Sequence, residues 1–220
     1  MLKLYCLLRK GCFLMDIDWD TFLWPYNEAV RELKVKFRSL RQGFLTRGEH
    51  SPIEFVISRV KTVDSIKEKM TRRVISPDVI ETDMQDIAGI RIVTQFVDDI
   101  YKVVDLIHAR DDMEVVEERD YIQNAKPSGY RSYHMVINYT VYLPEGPKTL
   151  IAEIQIRTLA MNFWATVEHT LNYKYKGVYP DDISKRLKST AEAAYKLDEE
   201  MSSIKDEVQE AQKIFTKNKG

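Results

Sequence analysis

The strongest constraint on the fold is a strict alternation of apolar and polar side chains around position 155. The two interleaved sets are Ala152, Ile154 and Ile156, and Glu153, Gln155 and Arg157. Because successive side chains of a β-strand point to opposite faces, this period of two predicts a strand with one face on the core. The other face carries a carboxylate, an amide and a guanidinium, which suits a pocket for a charged, planar ligand.

Strand patterns also occur upstream, at residues 90–93, 114–119 and 133–142, and the alternating strand covers residues 150–157. A helix is predicted at residues 97–109. Several connections are too short for a crossover helix, so the sheet of about five strands should be mixed or antiparallel. Helices flank this sheet, and the predicted fold class is α+β.

Apolar residues at helical spacing predict helices at residues 24–42 and 162–174. Another helix is predicted to begin at Ser51, with Pro52 in its first turn and Glu54 three residues after the cap. One side of that helix would carry a basic stripe with spacings of four, four and three, formed by Lys61, Ser65, Lys69 and Arg72. The stripe lacks matching acids and would suit phosphates, although a solvated helix face is the alternative.

The longest predicted helix covers residues 183–215, where apolar residues recur by three and four. At 1.5 Å per residue it would be on the order of 50 Å long, which exceeds the diameter of a small domain. Part of its apolar stripe should therefore pack on a second copy, making a homo-oligomer; the alternative is that the stripe folds back on its own domain. We divide the chain into a main domain, residues 15–180, and an oligomerisation helix packed on it, residues 181–220.

Residues 1–14 have a hydrophobic look, but Arg9 and Lys10 interrupt the apolar run and no small-residue cleavage site follows. We expect this segment to be an upstream extension without a structural role. Both cysteines, Cys6 and Cys12, lie within it, which fits a reducing compartment and predicts a cytoplasmic protein. The segment is too short to span a bilayer, and no membrane partner is expected.

The 33 basic and 34 acidic side chains nearly cancel. No global field therefore attracts a polyanion, and any anion site must be built locally. Nucleic acid is not the default partner.

Residue types suggest how such a site is assembled. Magnesium takes one or two carboxylates together with phosphate oxygens, and Asp86 and Glu153 supply these if their strands are neighbours. Tyr130 follows a glycine and offers a flat ring for a nucleobase; a buried tyrosine that anchors a loop is the alternative. Arg59 and Arg91 offer guanidinium planes for a second base. His134 is predicted to be a core or hydrogen-bonding residue, since a lone histidine is weak evidence of a site.

Five ordered motifs carry a resemblance to a known family. They are Arg59-Val60-Lys61, Asp86-Ile87-Ala88-Gly89-Ile90-Arg91, Ser128-Gly129-Tyr130-Arg131-Ser132-Tyr133-His134, Glu153-Ile154-Gln155-Ile156-Arg157-Thr158 and Asn162-Phe163-Trp164-Ala165. Together they resemble the nucleotidyltransferase-like synthetase domain of the RelA/SpoT family, as found in the small alarmone synthetases. The resemblance covers nearly everything from Met15 onward.

The resemblance implies transfer of the β,γ-pyrophosphoryl group of ATP to the ribose 3′-hydroxyl of GTP or GDP, which gives (p)ppGpp and AMP. Long family members carry a hydrolase domain with a His-Asp pair, which has no counterpart here, so hydrolysis of the product is not expected. Implied partners are ATP, GTP or GDP, further copies of the chain in a tetramer, and a regulatory guanine nucleotide or single-stranded RNA.

The resemblance also assigns roles to single residues. Asp86 and Glu153 match the magnesium ligands, and Glu153 matches the base that helps to deprotonate the 3′-hydroxyl. The residues that match the ATP site are Arg59, Lys61, Ser65, Lys69, Arg72 and Arg91. Those that match the acceptor site are Tyr130, which stacks on guanine, with Arg119, Lys126, Gln155 and Asn162.

Residues 80–84 form a tract one residue longer than the family pattern, so Asp83 competes with Asp86 as a ligand. The position of Asp86 directly before Ile87 favours it. Two other functions remain open from the sequence. One is a different nucleotidyltransferase of the same fold, which would release pyrophosphate instead of AMP. The other is a catalytically silent module that binds RNA or a nucleotide.

Overall fold

The computed structural model describes residues 17–175 and 180–217. Residues 1–14, expected to be an extension, and both cysteines lie outside these ranges. The helices described are α1 (Trp19–Thr46), α2 (Val63–Arg73), the single turn α3 (Ile80–Asp83), α4 (Val97–His108), α5 (Leu159–Lys174) and α6 (Asp181–Lys217). The strands are β1 (Phe55–Val60), β2 (Ala88–Thr94), β3 (Glu114–Asp120), β4 (Tyr133–Leu143) and β5 (Gly146–Thr158).

The strands form one mixed sheet in the order β1-β2-β5-β4-β3. β2 runs parallel to β5, and the other neighbouring pairs are antiparallel. β4 and β5 form a hairpin in which Leu143 pairs with Gly146. The sheet and its flanking helices confirm the predicted α+β class.

The core lies on one face of this sheet. Ile90 and Ile92 of β2 and Ile154 and Ile156 of β5 are at most 1% exposed. Burial of each such side chain contributes about 1.5–3 kcal/mol relative to leaving it in water. The helices α1 and α4 also contribute fully buried side chains to this core, including Phe37. The apolar half of the β5 alternation is therefore the core face, as the sequence predicts, and its polar half lies on the opposite face.

The helix predicted to begin at Ser51 is wrong, because β1 occupies residues 55–60. The Ser51 hydroxyl accepts from the backbone N–H of Ile53 at 3.1 Å, which makes a local turn instead of a helix cap. Phe55–Val60 is rich in β-branched and aromatic side chains, which fit a pleated surface better than a helix. The helix starts later, at α2, where the Thr62 side chain accepts from the N–H of Ser65.

The long helix α6 is confirmed and extends over 37 residues. Ala191 and Asp198 are buried against the rest of the molecule. Farther along the same stripe, Leu197, Met201, Ile204 and Val208 are each between 42% and 54% exposed. No helix among the described residues has the length and apolar character that crossing a membrane requires.

Candidate functional site

A cavity of about 650 Å³ opens on the polar face of the sheet. Its floor is formed by β2, β4 and β5, and α5 and the loop between β3 and β4 form two of its walls. The residues that line it are Arg59, Lys69, Arg73, Asp83, Gln85, Asp86, Arg91, Arg119, Tyr121, Lys126, Tyr130, His134, Glu153, Gln155, Arg157, Ala165, Thr166, Glu168, His169 and Thr170. The lining is predominantly polar and carries more cationic than anionic side chains, which suits a polyanionic ligand.

Two carboxylates meet in this cavity. The parallel pairing of β2 and β5 places Gly89 opposite Glu153, and Asp86 lies three residues before Gly89. The charge of Asp86 acts to raise the pKa of Glu153, as expected of neighbouring carboxylates. Asp83 also lines the cavity but is exposed, and its carboxylate accepts from the Thr82 hydroxyl. The structure therefore places Asp86, two residues before β2, close enough to Glu153 of β5 for their charges to interact.

Asp86 is held by two lysines. The ammonium of Lys69 donates to Asp86 Oδ1 at 2.6 Å, and that of Lys61 donates to Oδ2 at 3.1 Å. Burial alone would raise the pKa of Asp86, but the two lysines outweigh it and hold the pKa below its ordinary value. Asp86 is thus ionised at neutral pH, with both oxygens engaged by cations.

Glu153 is held by a histidine and an amide. His134 Nδ1 lies 2.9 Å from Glu153 Oε1, and Gln155 Nε2 donates to Oε2 at 2.8 Å. Burial would raise the pKa of Glu153, but these hydrogen bonds bring the pKa below its ordinary value, and the bond with His134 has the larger effect of the two. The carboxylate is therefore ionised and oriented before any ligand binds.

Tyr130 is tied to Glu153 through His134. Its hydroxyl lies 2.8 Å from His134 Nε2 and accepts from the Arg157 guanidinium at 2.5 Å. With the His134 proton on Nδ1, the imidazole donates to Glu153 and accepts from Tyr130, so each group has a partner. The ammonium of Lys126 lies 4.8 Å from the centre of the Tyr130 ring. Tyr130 therefore anchors its loop, which is the alternative that the sequence left open, and it also lines the cavity.

Arg91 lies beside the carboxylates on β2. Its guanidinium donates to Asn162 Oδ1 at 3.4 Å and to Gln155 Oε1 at 3.5 Å, both long hydrogen bonds, and its buried Nε has no partner. Burial, followed by the charges of Arg157 and Arg59, lowers the pKa of Arg91 to about 10. The side chain stays charged at neutral pH and is under-satisfied, which favours an additional ligand.

Most of the predicted site residues converge, and a few do not. Arg59, Lys69, Asp86, Arg91, Arg119, Lys126, Tyr130, Glu153 and Gln155 line the cavity. Lys61 and Asn162 do not line the cavity, but each contacts a residue that does. Lys61 donates to Asp86, and Asn162 accepts from Arg91. The prediction that the basic stripe lies on one helix is wrong for Lys61, which precedes α2, whereas Ser65, Lys69 and Arg72 do lie on α2. Of these three, Lys69 lines the cavity, as does Arg73, and the Ser65 hydroxyl accepts from Thr62 at the helix start.

Two residues at the centre of the site received no site role in the sequence analysis, which predicted His134 to be a core or hydrogen-bonding residue and placed Arg157 on the polar face of β5. His134 is 7% exposed and joins Glu153 to Tyr130. Arg157 is 4% exposed and donates to Tyr130, to Gln155 at 2.7 Å and to Ser132 at 3.2 Å. Arg157 belongs to the polar half of the β5 alternation, so the pattern itself marks it. His134 has no such signal until β4 is known to place it opposite Gln155.

The donor set fits magnesium. No cluster of three or more potential metal ligands occurs among the residues that the structure describes. Magnesium, however, is commonly held by one or two carboxylates, with phosphate oxygens and waters completing the shell. Asp86, just before β2, and Glu153, on the neighbouring strand β5, provide that number of carboxylates.

Two carboxylates beneath a basic cavity on a mixed sheet suit an enzyme that transfers phosphoryl groups with the help of magnesium. A family model, described as the region found in RelA/SpoT proteins, matches residues 58–178. The chain belongs to the RelA/SpoT family and, within it, to the small alarmone synthetases.

Three comparisons illustrate the likeness. The GTP pyrophosphokinase YjbM of Bacillus subtilis is 55% identical over 204 residues, which are 93% of this chain and 96% of that protein. The small alarmone synthetase 1 of B. subtilis bound to its product pppGpp is 56% identical with a TM-score of 0.85, covering 88% of this chain and 100% of that one. The same synthetase bound to AMPCPP is 52% identical with a TM-score of 0.78, covering 89% and 100%.

Proposed function

We propose that this chain is a GTP pyrophosphokinase, which transfers the β,γ-pyrophosphate of ATP to the 3′-hydroxyl of GTP or GDP. The products are pppGpp or ppGpp, and AMP. The observation that carries this proposal is the convergence of Asp86, just before β2, and Glu153, on the neighbouring strand β5, in a cavity ringed by cations. Support comes from the similar synthetase solved with pppGpp and with AMPCPP, which resemble the product and the donor of this reaction.

The two nucleotides are assigned to opposite sides of the carboxylates. ATP is proposed to lie at the β1–β2 side, with its adenine between Arg59 and Arg91 and its phosphates near Lys61, Lys69 and Arg73. Arg73 is added to these contacts because it lines the cavity. The roles of Ser65 and Arg72 as ATP contacts stay predictions.

The acceptor is proposed to lie at the β4 side. Tyr130 would stack on guanine, and Arg119 and Lys126 would bind its phosphates. Gln155 and Asn162, which both contact Arg91, would hold the acceptor nucleotide. The 3′-hydroxyl is then directed at the donor phosphate near Glu153, so positioning supplies much of the rate.

Magnesium is the proposed cofactor, held by Asp86 and Glu153. When bound, it would neutralise phosphate charge and make the 3′-hydroxyl easier to deprotonate. The lysines that hold Asp86 would then turn toward the phosphates, because a lysine ammonium sits on a flexible stem and reorients readily. Glu153 is the proposed base, since His134 and Gln155 keep it ionised and fixed in place.

The oligomeric state, the regulation and the cellular location are proposed in less detail than the site. The exposed apolar residues of α6 support a homo-oligomer, which the resemblance makes a tetramer. Regulation by a guanine nucleotide or single-stranded RNA stays a prediction, as does the cytoplasmic location.

Product analysis tests the proposal. The purified chain is incubated with ATP, magnesium and either GTP or GDP, and the nucleotides are separated by anion exchange. We expect equal amounts of AMP and of a guanosine tetra- or pentaphosphate, with no AMP when the acceptor is left out. Release of pyrophosphate instead of AMP would identify a nucleotidyltransferase, and binding without turnover would identify a silent module.

A further inference from the structure

Residues 121–131 of the loop between β3 and β4, here called the acceptor loop, are joined to one another by hydrogen bonds. The N–H of Lys126 donates to the carbonyl of Tyr130 at 3.1 Å, and the N–H of Gly129 donates to that of Lys126 at 2.8 Å. Arg131 reaches back to donate to the carbonyl of Ile122. Because these bonds join both ends of the loop, the segment that carries Lys126 and Tyr130 can shift as one unit.

Gly129 packs this loop directly onto α6. It has a φ of +88°, and a Cβ at this position would lie 2.6 Å from the Cβ of Ala191. That separation is far below van der Waals contact, so the approach requires glycine on the loop and a small residue on the helix. The conformation and the close contact both restrict residue 129.

Arg131 makes a second contact with the same helix. Its guanidinium lies 3.8 Å from the centre of the Tyr195 ring, one turn after Ala191. A guanidinium over an aromatic face is held by cation–π attraction. Two successive turns of α6 thus hold the acceptor loop. Ala191 does so by close packing against Gly129, and Tyr195 by a cation–π contact with Arg131.

The helix that holds the loop is itself fixed to the strand that carries the site. Asp198 accepts from the hydroxyl of Thr158, the last residue of β5, at 2.6 Å. Trp164 of α5 donates to the carbonyl of Leu187 and to the Thr190 hydroxyl, each at 3.1 Å. The helix α6 therefore bridges the acceptor loop to β5, which carries Glu153.

We propose that α6 sets the distance between the acceptor loop and Glu153, with Ala191 and Tyr195 as positioning residues for the acceptor nucleotide. Neither residue lines the cavity, so each acts through Gly129 or Arg131. This proposal rests on the proposed function, because it concerns the guanine nucleotide assigned to Tyr130 and Lys126. It predicts that changes on this face of α6 alter acceptor binding and leave ATP binding unchanged.

Kinetics of Tyr195→Leu test the proposal, with Tyr195→Phe as the variant that keeps the ring and Glu192→Ala as an exposed control on the same helix. We expect Tyr195→Leu to raise the KM for GDP roughly tenfold, the size of a lost cation–π contact. The KM for ATP and the oligomer mass should not change. Tyr195→Phe and Glu192→Ala should match the unmodified protein. Equal increases in both KM values, or an effect of the same size in Tyr195→Phe, would overturn the proposal.

A second variant and a readout without turnover keep the test independent of catalysis. Ala191→Leu keeps helix propensity but places a large side chain against Gly129, and should also raise the KM for GDP alone. Hydrogen exchange of residues 122–131 should be faster in Tyr195→Leu and Ala191→Leu than in Glu192→Ala. If the unmodified protein forms no AMP, the proposed function fails, whereas unchanged exchange in both variants overturns the positioning role.

Discussion

At the scale of single residues, the site is defined by how its charges are paired before a nucleotide binds. Asp86 and Glu153 both have a lowered pKa despite burial, so each is ionised at neutral pH. A carboxylate of lowered pKa is a weak base. Proton removal from the 3′-hydroxyl then depends on nearby cations to stabilise the alkoxide, which a site with lysines, arginines and magnesium provides.

Glu153→Gln tests the role of this charge. The amide keeps the shape of the side chain but removes the base and one magnesium ligand, so AMP formation should fall at least a hundredfold, at the lower end of general-base effects. GDP binding, measured by calorimetry, and oligomer mass should persist. Near-normal turnover by this variant would reject Glu153 as the base. Glu145→Gln, in the exposed turn between β4 and β5, is the matched control and should retain activity.

Tyr130→Ala tests base stacking. Loss of an aromatic platform costs about 1–3 kcal/mol per base, so the acceptor KM should rise by about fivefold or more. The KM for ATP should change little, because ATP is assigned to the β1–β2 side. Tyr130→Phe keeps the ring and removes the hydroxyl that contacts Arg157 and His134, and should bind the acceptor better than Tyr130→Ala. Equal losses for both nucleotides would contradict the assignment.

At the scale of elements, the junction between α6 and the end of β5 carries a buried acid. Asp198 is 5% exposed and accepts a hydrogen bond from the Thr158 hydroxyl, which also caps α5. Burial raises the pKa of Asp198 to about 6, partly offset by the bond from Thr158. A raised carboxyl pKa adds stability that is fully present below the unfolded pKa of 3.8 and is lost as pH rises through 6.

Asp198→Asn should therefore stabilise the protein at neutral pH. The amide oxygen can still accept from Thr158, while the cost of a buried charge disappears. Tm should rise by about 2–4 °C for each kcal/mol gained, as expected for a chain of this size. The difference from the unmodified protein should shrink at about pH 4.5, where Asp198 is protonated in the folded state. A variant that is less stable at neutral pH would show that the charge contributes favourably.

The elements also show how far the sequence determines this fold. The alternation at residues 152–157 predicted both faces of β5, because one strand register satisfies the core and the site together. The segment after Ser51 was misread, since Ser-Pro-x-Glu resembles a helix start while pairing with β2 is a long-range interaction that local spacing does not report. The same limit applies to His134, which becomes a partner of Glu153 only through the β4–β5 register. Carboxylates and arginines of the site were predictable from residue type; the hydrogen bonds among them were not.

At the scale of the whole molecule, α6 serves two surfaces. Its first half holds the acceptor loop and the end of β5, through Ala191, Tyr195 and Asp198. Its second half presents an apolar stripe that the described chain leaves about half exposed. Contiguous apolar surface on a helix commonly marks a protein interface. Assembly and acceptor positioning would then share one rigid helix, although their contacts lie on different turns.

A double variant separates these two uses of α6. Met201 and Ile204 lie in the exposed stripe, so Met201→Glu with Ile204→Glu should place repelling charges at the proposed interface. The mass measured by light scattering should drop from a multiple of the 25.8 kDa chain toward the chain mass itself. Ser203→Glu adds the same kind of charge at an exposed position off the stripe and should leave the mass unchanged. If the unmodified protein already has the mass of one chain, the oligomer prediction is wrong. A drop in mass without a rise in the KM for GDP would show that the loop contacts of the first half are independent of assembly.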